Sequence, residues 1–129
     1  MNEKYLIAKE RGLKPYIVDG KTEGYIFYGR IPYYMGAPVS SINVFRAYID
    51  GEQVPEDKVV LCLDTGGEYT FQEMGTLISY WWPYGIPQKI KLLTDITPGK
   101  HELTFEIATA VIYEKQFGKG STCHLVFEV

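Results

Sequence analysis

Apolar side chains recur at every second position through most of this chain, and turn-forming residues separate the runs, which is the signature of half-buried strands. The clearest case places Leu103, Phe105, Ile107, Val111 and Tyr113 on one face of an extended segment, with Thr104, Glu106 and Glu114 on the other. The second face of its later half carries Ala108, Ala110 and Ile112, so both sides are expected to be covered there. Leu125, Phe127 and Val129 against His124 and Glu128 repeat the alternation. The glycine-bearing stretch 115–121 should join the two runs as a hairpin. Further strands are predicted at 24–31, Ile42–Ile49, 58–63, 78–82 and 88–93. Asp50-Gly51 is a hairpin signal, and Thr97-Pro98-Gly99-Lys100 suits a tight turn in which Gly99 supplies a positive φ.

One segment departs from period two. Thr70 and Glu73 stand at capping-box spacing, after which Phe71, Met74 and Leu77 share a helical face, so one short helical turn should close an end of the core. Seven or more short strands with this spacing imply two packed antiparallel sheets. The expected fold is all-β, an antiparallel two-sheet β-sandwich with one short helical turn, formed as a single domain over residues 1–129.

Composition narrows the partners. The 129 residues include 46% hydrophobic and 22% charged side chains, ordinary for a globular domain, but 11 tyrosines are many. A net charge of −3 without any Lys/Arg run removes the electrostatic footprint that nucleic acid or an anionic membrane requires. No window approaches a membrane span, and the charged N-terminus lacks a signal-peptide pattern, so a cytoplasmic location is expected. There Cys62 and Cys123 would remain buried free thiols. An immunoglobulin-type bridge does not suit the positions of Trp81 and Trp82 or Ser121 two before Cys123.

Catalytic motifs are scarce. His101 and His124 belong to no metal-ligand pair, the serines lack a nucleophile-elbow context, and Asp64-Thr65-Gly66-Gly67-Glu68 has the glycines of a phosphate loop without its Lys. What stands out is Arg30-Ile31-Pro32-Tyr33-Tyr34-Met35-Gly36-Ala37-Pro38-Val39-Ser40, where two prolines stiffen an aromatic, cationic segment. Tyr80-Trp81-Trp82-Pro83-Tyr84-Gly85-Ile86-Pro87 is a second aromatic and proline-bearing segment. Adjacent Trp81 and Trp82 cannot both point inward from one strand, so one indole is expected on the surface. Exposed aromatics of this kind stack on sugars or plug into a protein partner, and the residue types alone leave both open.

The string Arg30-Ile31-Pro32-Tyr33-Tyr34-x-Gly36-x-Pro38-x-Ser40 resembles the small β subunits of bacterial C-glycoside deglycosidases. Asp50-Gly51-Glu52-x-Val54-Pro55, Trp82-x-x-Gly85-x-Pro87, Pro98-Gly99-x-His101 and Tyr113 extend the resemblance along most of the chain. It implies a β-sandwich subunit without cofactor or catalytic residue of its own. The expected partner is a larger α subunit of sugar-isomerase barrel type, holding a divalent metal, manganese, in a higher hetero-oligomer. The implied reaction is a carbon–carbon lyase step on a 3-oxo-C-glucoside. A ketone at C3 acidifies the C2 proton, a base removes it, and a flavonoid-type aglycone leaves from C1. On this reading Arg30, Pro32, Tyr33, Tyr34, Trp81 and Trp82 face the α subunit or shape the mouth of its site. The competing expectation is a stand-alone carbohydrate-binding or protein-interaction sandwich.

Overall fold

The computed structural model describes residues 5–32, 35–109 and 121–129. In chain order the elements are β1 (Lys14–Val18), β2 (Lys21–Gly29), β3 (Ala37–Pro38), β4 (Ile42–Ile49), β5 (Glu52–Gln53), β6 (Val59–Cys62), β7 (Glu68–Tyr69), α1 (Phe71–Met74), β8 (Trp81–Trp82), β9 (Gln88–Leu92), β10 (Lys100–Thr109) and β11 (Ser121–Glu128). All pairings are antiparallel. One sheet runs β1-β2-β9-β6-β7, a second runs β11-β10-β4-β5, and β3 pairs with β8 in a short ribbon.

The inner faces of the two larger sheets meet at aromatic rings. Phe27 of β2 packs edge-on against Phe105 of β10 with centroids 5.3 Å apart, and Phe45 of β4 meets the same Phe105 at 5.7 Å. Such edge-to-face contacts add to the burial of the rings themselves. Ile90 and Leu92 from β9, Leu61 from β6 and Leu103 and Ile107 from β10 complete a continuous core. The expected all-β sandwich is therefore the observed architecture.

The two hairpin turns show why local chemistry sets the register. Asp50 and Gly51 take φ of 53° and 81°, the positive pair of a type I′ turn, and reverse β4 into β5 as expected. Asp19 and Gly20 do the same between β1 and β2, with φ of 52° and 78°. β1 itself lies outside the predicted strands. It is an edge strand whose side chains are mostly exposed, so no alternation of hydrophobicity marks it, and Pro15 argues against a strand.

β10 follows the predicted alternation only in part. Leu103, Phe105 and Ile107 face the core, but Thr104 and Glu106 on the other face are also buried. The reason is position: β10 lies between β4 and β11, and long polar neighbours cover it. The Glu106 carboxylate accepts the Tyr48 hydroxyl at 2.8 Å and Arg46 Nη1 at 3.4 Å. The predicted joining turn at 115–121 and the positions Ala110 to Glu114 lie largely outside the described residues. The ladder it implies is present, from Lys100 opposite Glu128 to Ile107 opposite Ser121.

The strand expected over 78–82 shortens to Trp81–Trp82, because its partner supplies only Ala37 and Pro38 and Pro83 follows directly. The helical turn is likewise shorter than its pattern, Phe71–Met74, but Thr70 and Glu73 form the reciprocal capping box, with the Thr70 amide donating to Glu73 Oε1 at 2.8 Å. Met74 is buried, and Phe71 and Leu77 pack onto the core, as their helical face requires. Cys62 and Cys123 are buried free thiols.

Candidate functional site

The two segments singled out from sequence come together at β3 and β8, where Ala37 pairs with Trp82 and Pro38 with Trp81. Alternation along β8 then decides the fate of the tryptophans. Trp82 points inward, is 0% exposed, and donates its indole Nε1–H to the Ile86 carbonyl at 2.7 Å. Trp81 points outward and is 53% exposed, and its indole makes no hydrogen bond among the described residues. Trp82 is thus a core residue and Trp81 is the exposed one, a choice that the sequence left open. Pro32 is buried as well.

Gly36 holds the ribbon together. Its φ is +71°, and a Cβ built there would lie 2.6 Å from the Trp82 carbonyl oxygen and 2.8 Å from Trp81 Nε1. Only glycine permits both the left-handed backbone and this approach. Val39 N–H donates to the Tyr80 carbonyl at 2.9 Å and extends the register past Pro38. On the far side, Gly85 at φ +87° turns the 83–87 loop so that Tyr84 stacks on Tyr5, with centroids 4.9 Å apart and planes 16° from parallel.

Arg30 is turned toward the N-terminal segment. Its guanidinium donates to the Tyr5 carbonyl at 3.1 Å and to Glu10 at 2.9 Å, and lies over the Tyr5 ring at 5.1 Å from the centroid. Hydrogen bonds from its own backbone amide and from Arg30 hold the Glu10 carboxyl below its ordinary pKa. Arg30 therefore orients Tyr5, and through it Tyr84. The Tyr5 hydroxyl is buried beside Gly85 and Tyr84, and burial pushes its pKa above the ordinary value. Tyr33 and Tyr34, expected at this site, lie outside the described residues, as does Tyr113.

Met35, Ile78, Trp81, Tyr84 and Ile86 are exposed, and all five fall in the two stretches of chain that meet at β3 and β8. No charged side chain occurs in sequence between Arg30 and Arg46, or between Glu73 and Lys89, in a chain that is 22% charged. Tyr5, Met35, Ile78, Tyr84 and Ile86 are not among the site residues expected from sequence. Charge depletion over the two segments is the legible signal for all of them but Tyr5, which lies in the charged N-terminal stretch.

A second polar cluster braces the site from one side. The Tyr80 hydroxyl donates to Asp64 and accepts Gln88 Nε2 at 3.1 Å, and burial followed by the Asp64 bond raises the phenol's pKa. A cleft of about 420 Å³ opens between Arg11, Tyr28, Cys62, Asp64, Glu68 and Lys89, and none of Arg30, Pro32, Trp81 or Trp82 lines it. Among the described residues, no three or more His, Cys, Asp or Glu side chains gather where they could hold a metal ion. No described helix is long and apolar enough to cross a membrane.

His101 belongs to a different end of the molecule. Its Nδ1 faces Asp50 Oδ2 at 2.6 Å and its Nε2 faces the Thr97 carbonyl at 2.6 Å, while Asp50 Oδ1 accepts the Glu102 amide at 2.9 Å. Two acceptors, one on each ring nitrogen, favour the imidazolium, and the Asp50 bond raises the His101 pKa first among its causes. Through His101, Asp50 and the Thr97 carbonyl, the Asp50-Gly51 and Thr97–Lys100 turns of the signature are clamped to each other.

A sequence profile of the C-glycoside deglycosidase beta subunit family matches residues 2–113 of this chain. A protein from Eubacterium cellulosolvens, named C-glycoside deglycosidase beta subunit, is 29% identical over 89 residues. That alignment covers 67% of this chain and 60% of the relative's length. With the glycine-pinned tryptophan ribbon and the profile both running through the same residues, the chain belongs to the C-glycoside deglycosidase beta subunit family.

Proposed function

We propose that this chain is the small, non-catalytic subunit of a C-glycoside-cleaving lyase and docks a larger barrel subunit through its uncharged end. The observation that carries this is the patch of Met35, Ile78, Trp81, Tyr84 and Ile86 in a charge-free region. Interface centres are enriched in Trp, Tyr and Met and depleted of charge, and this patch has that composition. The free indole N–H of Trp81 gives it one polar anchor.

The reaction belongs to the larger subunit in this reading. The C3 ketone of a 3-oxo-C-glucoside acidifies C2, a base there removes the proton, and the aromatic aglycone leaves from C1. Among the described residues, no three or more His, Cys, Asp or Glu side chains gather where they could hold a metal ion. Their contribution is to bury the rim of the neighbouring site and exclude water from it, which strengthens the electrostatic stabilisation of the developing enolate.

Mixing separately purified subunits tests the division of labour. Cleavage of a 3-oxo-C-glucoside should require both proteins, and Trp81→Ala with Tyr84→Ala should lower the rate by raising the concentration of this chain needed for half-maximal activity. Full cleavage by the larger subunit alone, or sugar binding by this chain in isolation with no complex formed, would overturn the proposal in favour of an independent carbohydrate-binding sandwich.

A further inference from the structure

The edges of the sheets are not protected alike. β1 ends its sheet with Lys14, Pro15 and a register shift between Tyr16 and Ile17, while β5 and β7 are two residues long. These are devices that stop an edge strand from pairing with another chain. β11 has none of them. It runs for eight residues, Ser121–Glu128, without Pro, Lys or Arg and in unbroken register with β10, and among the described residues β10 alone pairs with it. Toward its C-terminal end, Val126 is 64% exposed.

We propose that β11 pairs antiparallel with β11 of a second copy of this chain, about a twofold axis through Val126, joining two four-stranded sheets into one. Antiparallel partners share a face, so the axis must pass through a residue position. With Val126 at the centre, His124 of each copy stands opposite Glu128 of the other, Leu125 opposite Phe127, and Cys123 opposite Val129. Within one chain His124 already faces Thr104, and Glu128 faces Lys100, so neither meets a like charge. Centring on Leu125 would set Glu128 against Thr122, and centring on Phe127 would set it against Val126. Centring on His124 would oppose the two imidazoles. Only the Val126 register matches the strand's one carboxylate to its one imidazole. On the inner face, Leu125 and Phe127 already pack against the core, and the pairing would continue that apolar layer into the second copy.

The pairing does not depend on the larger subunit, and it is tested on the full chain alone. Opposed Cα atoms in an antiparallel pair lie about 4.5–5.5 Å apart, within disulfide range. Val126→Cys should form an interchain disulfide under mild oxidation. Neither the wild type, whose cysteines are buried, nor the exposed-loop variant Thr65→Cys should do so. By sedimentation equilibrium, His124→Glu should raise the dimer dissociation constant at least tenfold. Adding Glu128→His to that variant should restore it. A monomer at all accessible concentrations overturns the proposal, and so does cross-linking of Val126→Cys no faster than Thr65→Cys. Protection of β11 amides that appears only on adding the larger subunit also overturns it, by assigning the edge to that partner.

Discussion

Replacing Gly36 by alanine tests how the tryptophan ribbon is held. Gly36 has φ +71°, and for an L-residue this left-handed region costs roughly 1–2 kcal/mol. The added methyl would also sit 2.6 Å from the Trp82 carbonyl oxygen and 3.1 Å from Pro83 Cα, both backbone atoms, so the ribbon itself must move. Overpacking of this kind costs about 1–3 kcal/mol. The sum, roughly 2–5 kcal/mol, is a large share of the roughly 5–15 kcal/mol that stabilises a domain. Gly51→Ala is the internal control, since Gly51 has φ +81° but nothing within 4 Å of the methyl that alanine would add. Urea denaturation followed by tryptophan fluorescence reports both variants. Gly36→Ala should cost about 1–3 kcal/mol more than Gly51→Ala, with an altered native spectrum because Trp81 is displaced. Equal losses, with an unchanged spectrum, would refute the close-approach argument and leave only backbone strain.

The buried indole and the histidine clamp give further checks. Trp82→Ala should destabilise the fold by about 3–5 kcal/mol, read from the urea midpoint, whereas Trp81→Ala should change it by less than roughly 1 kcal/mol. The His101 pKa is raised, so the clamp's contribution is fully present below the ordinary 6.5 and is lost as pH rises through the raised folded value. The Asp50 pKa is lowered, so its contribution is present above the ordinary 3.8 and is lost as pH falls through the depressed value. Stability measured against pH should therefore decline as pH rises through the raised His101 pKa in the wild type and flatten in His101→Gln; parallel profiles would remove the clamp.

Fold class was readable because Phe45 and Ala47 of β4, Ile90 and Leu92 of β9, and Leu103, Phe105 and Ile107 of β10 recur at every second position on the core side. β1 was not readable, because an exposed edge strand buries too little to leave a pattern, and its one local signal is the Asp19-Gly20 turn that follows it. The double burial of Thr104 and Glu106 could not be seen either, since it arises from Arg46 and Tyr48 reaching across from a neighbouring strand. At the site, parity showed that one tryptophan must face outward, but only the pairing with Ala37 and Pro38 determines that it is Trp81. Arg30 looked like a surface anchor by residue type. Its guanidinium is instead held by Tyr5 and Glu10, contacts between segments 20 or more residues apart that no local pattern encodes.

The docking claim reduces to one binding constant. Titrating the larger subunit with this chain, by calorimetry or by reconstituted cleavage, should give a dissociation constant at least about thirtyfold weaker for Trp81→Ala/Tyr84→Ala than for the wild type, the loss of roughly 2 kcal/mol that marks interface hot spots. The double variant should keep its urea midpoint within roughly 1 kcal/mol of the wild type. A folded double variant that binds within threefold of the wild type would contradict the account and place the interface elsewhere on the sandwich.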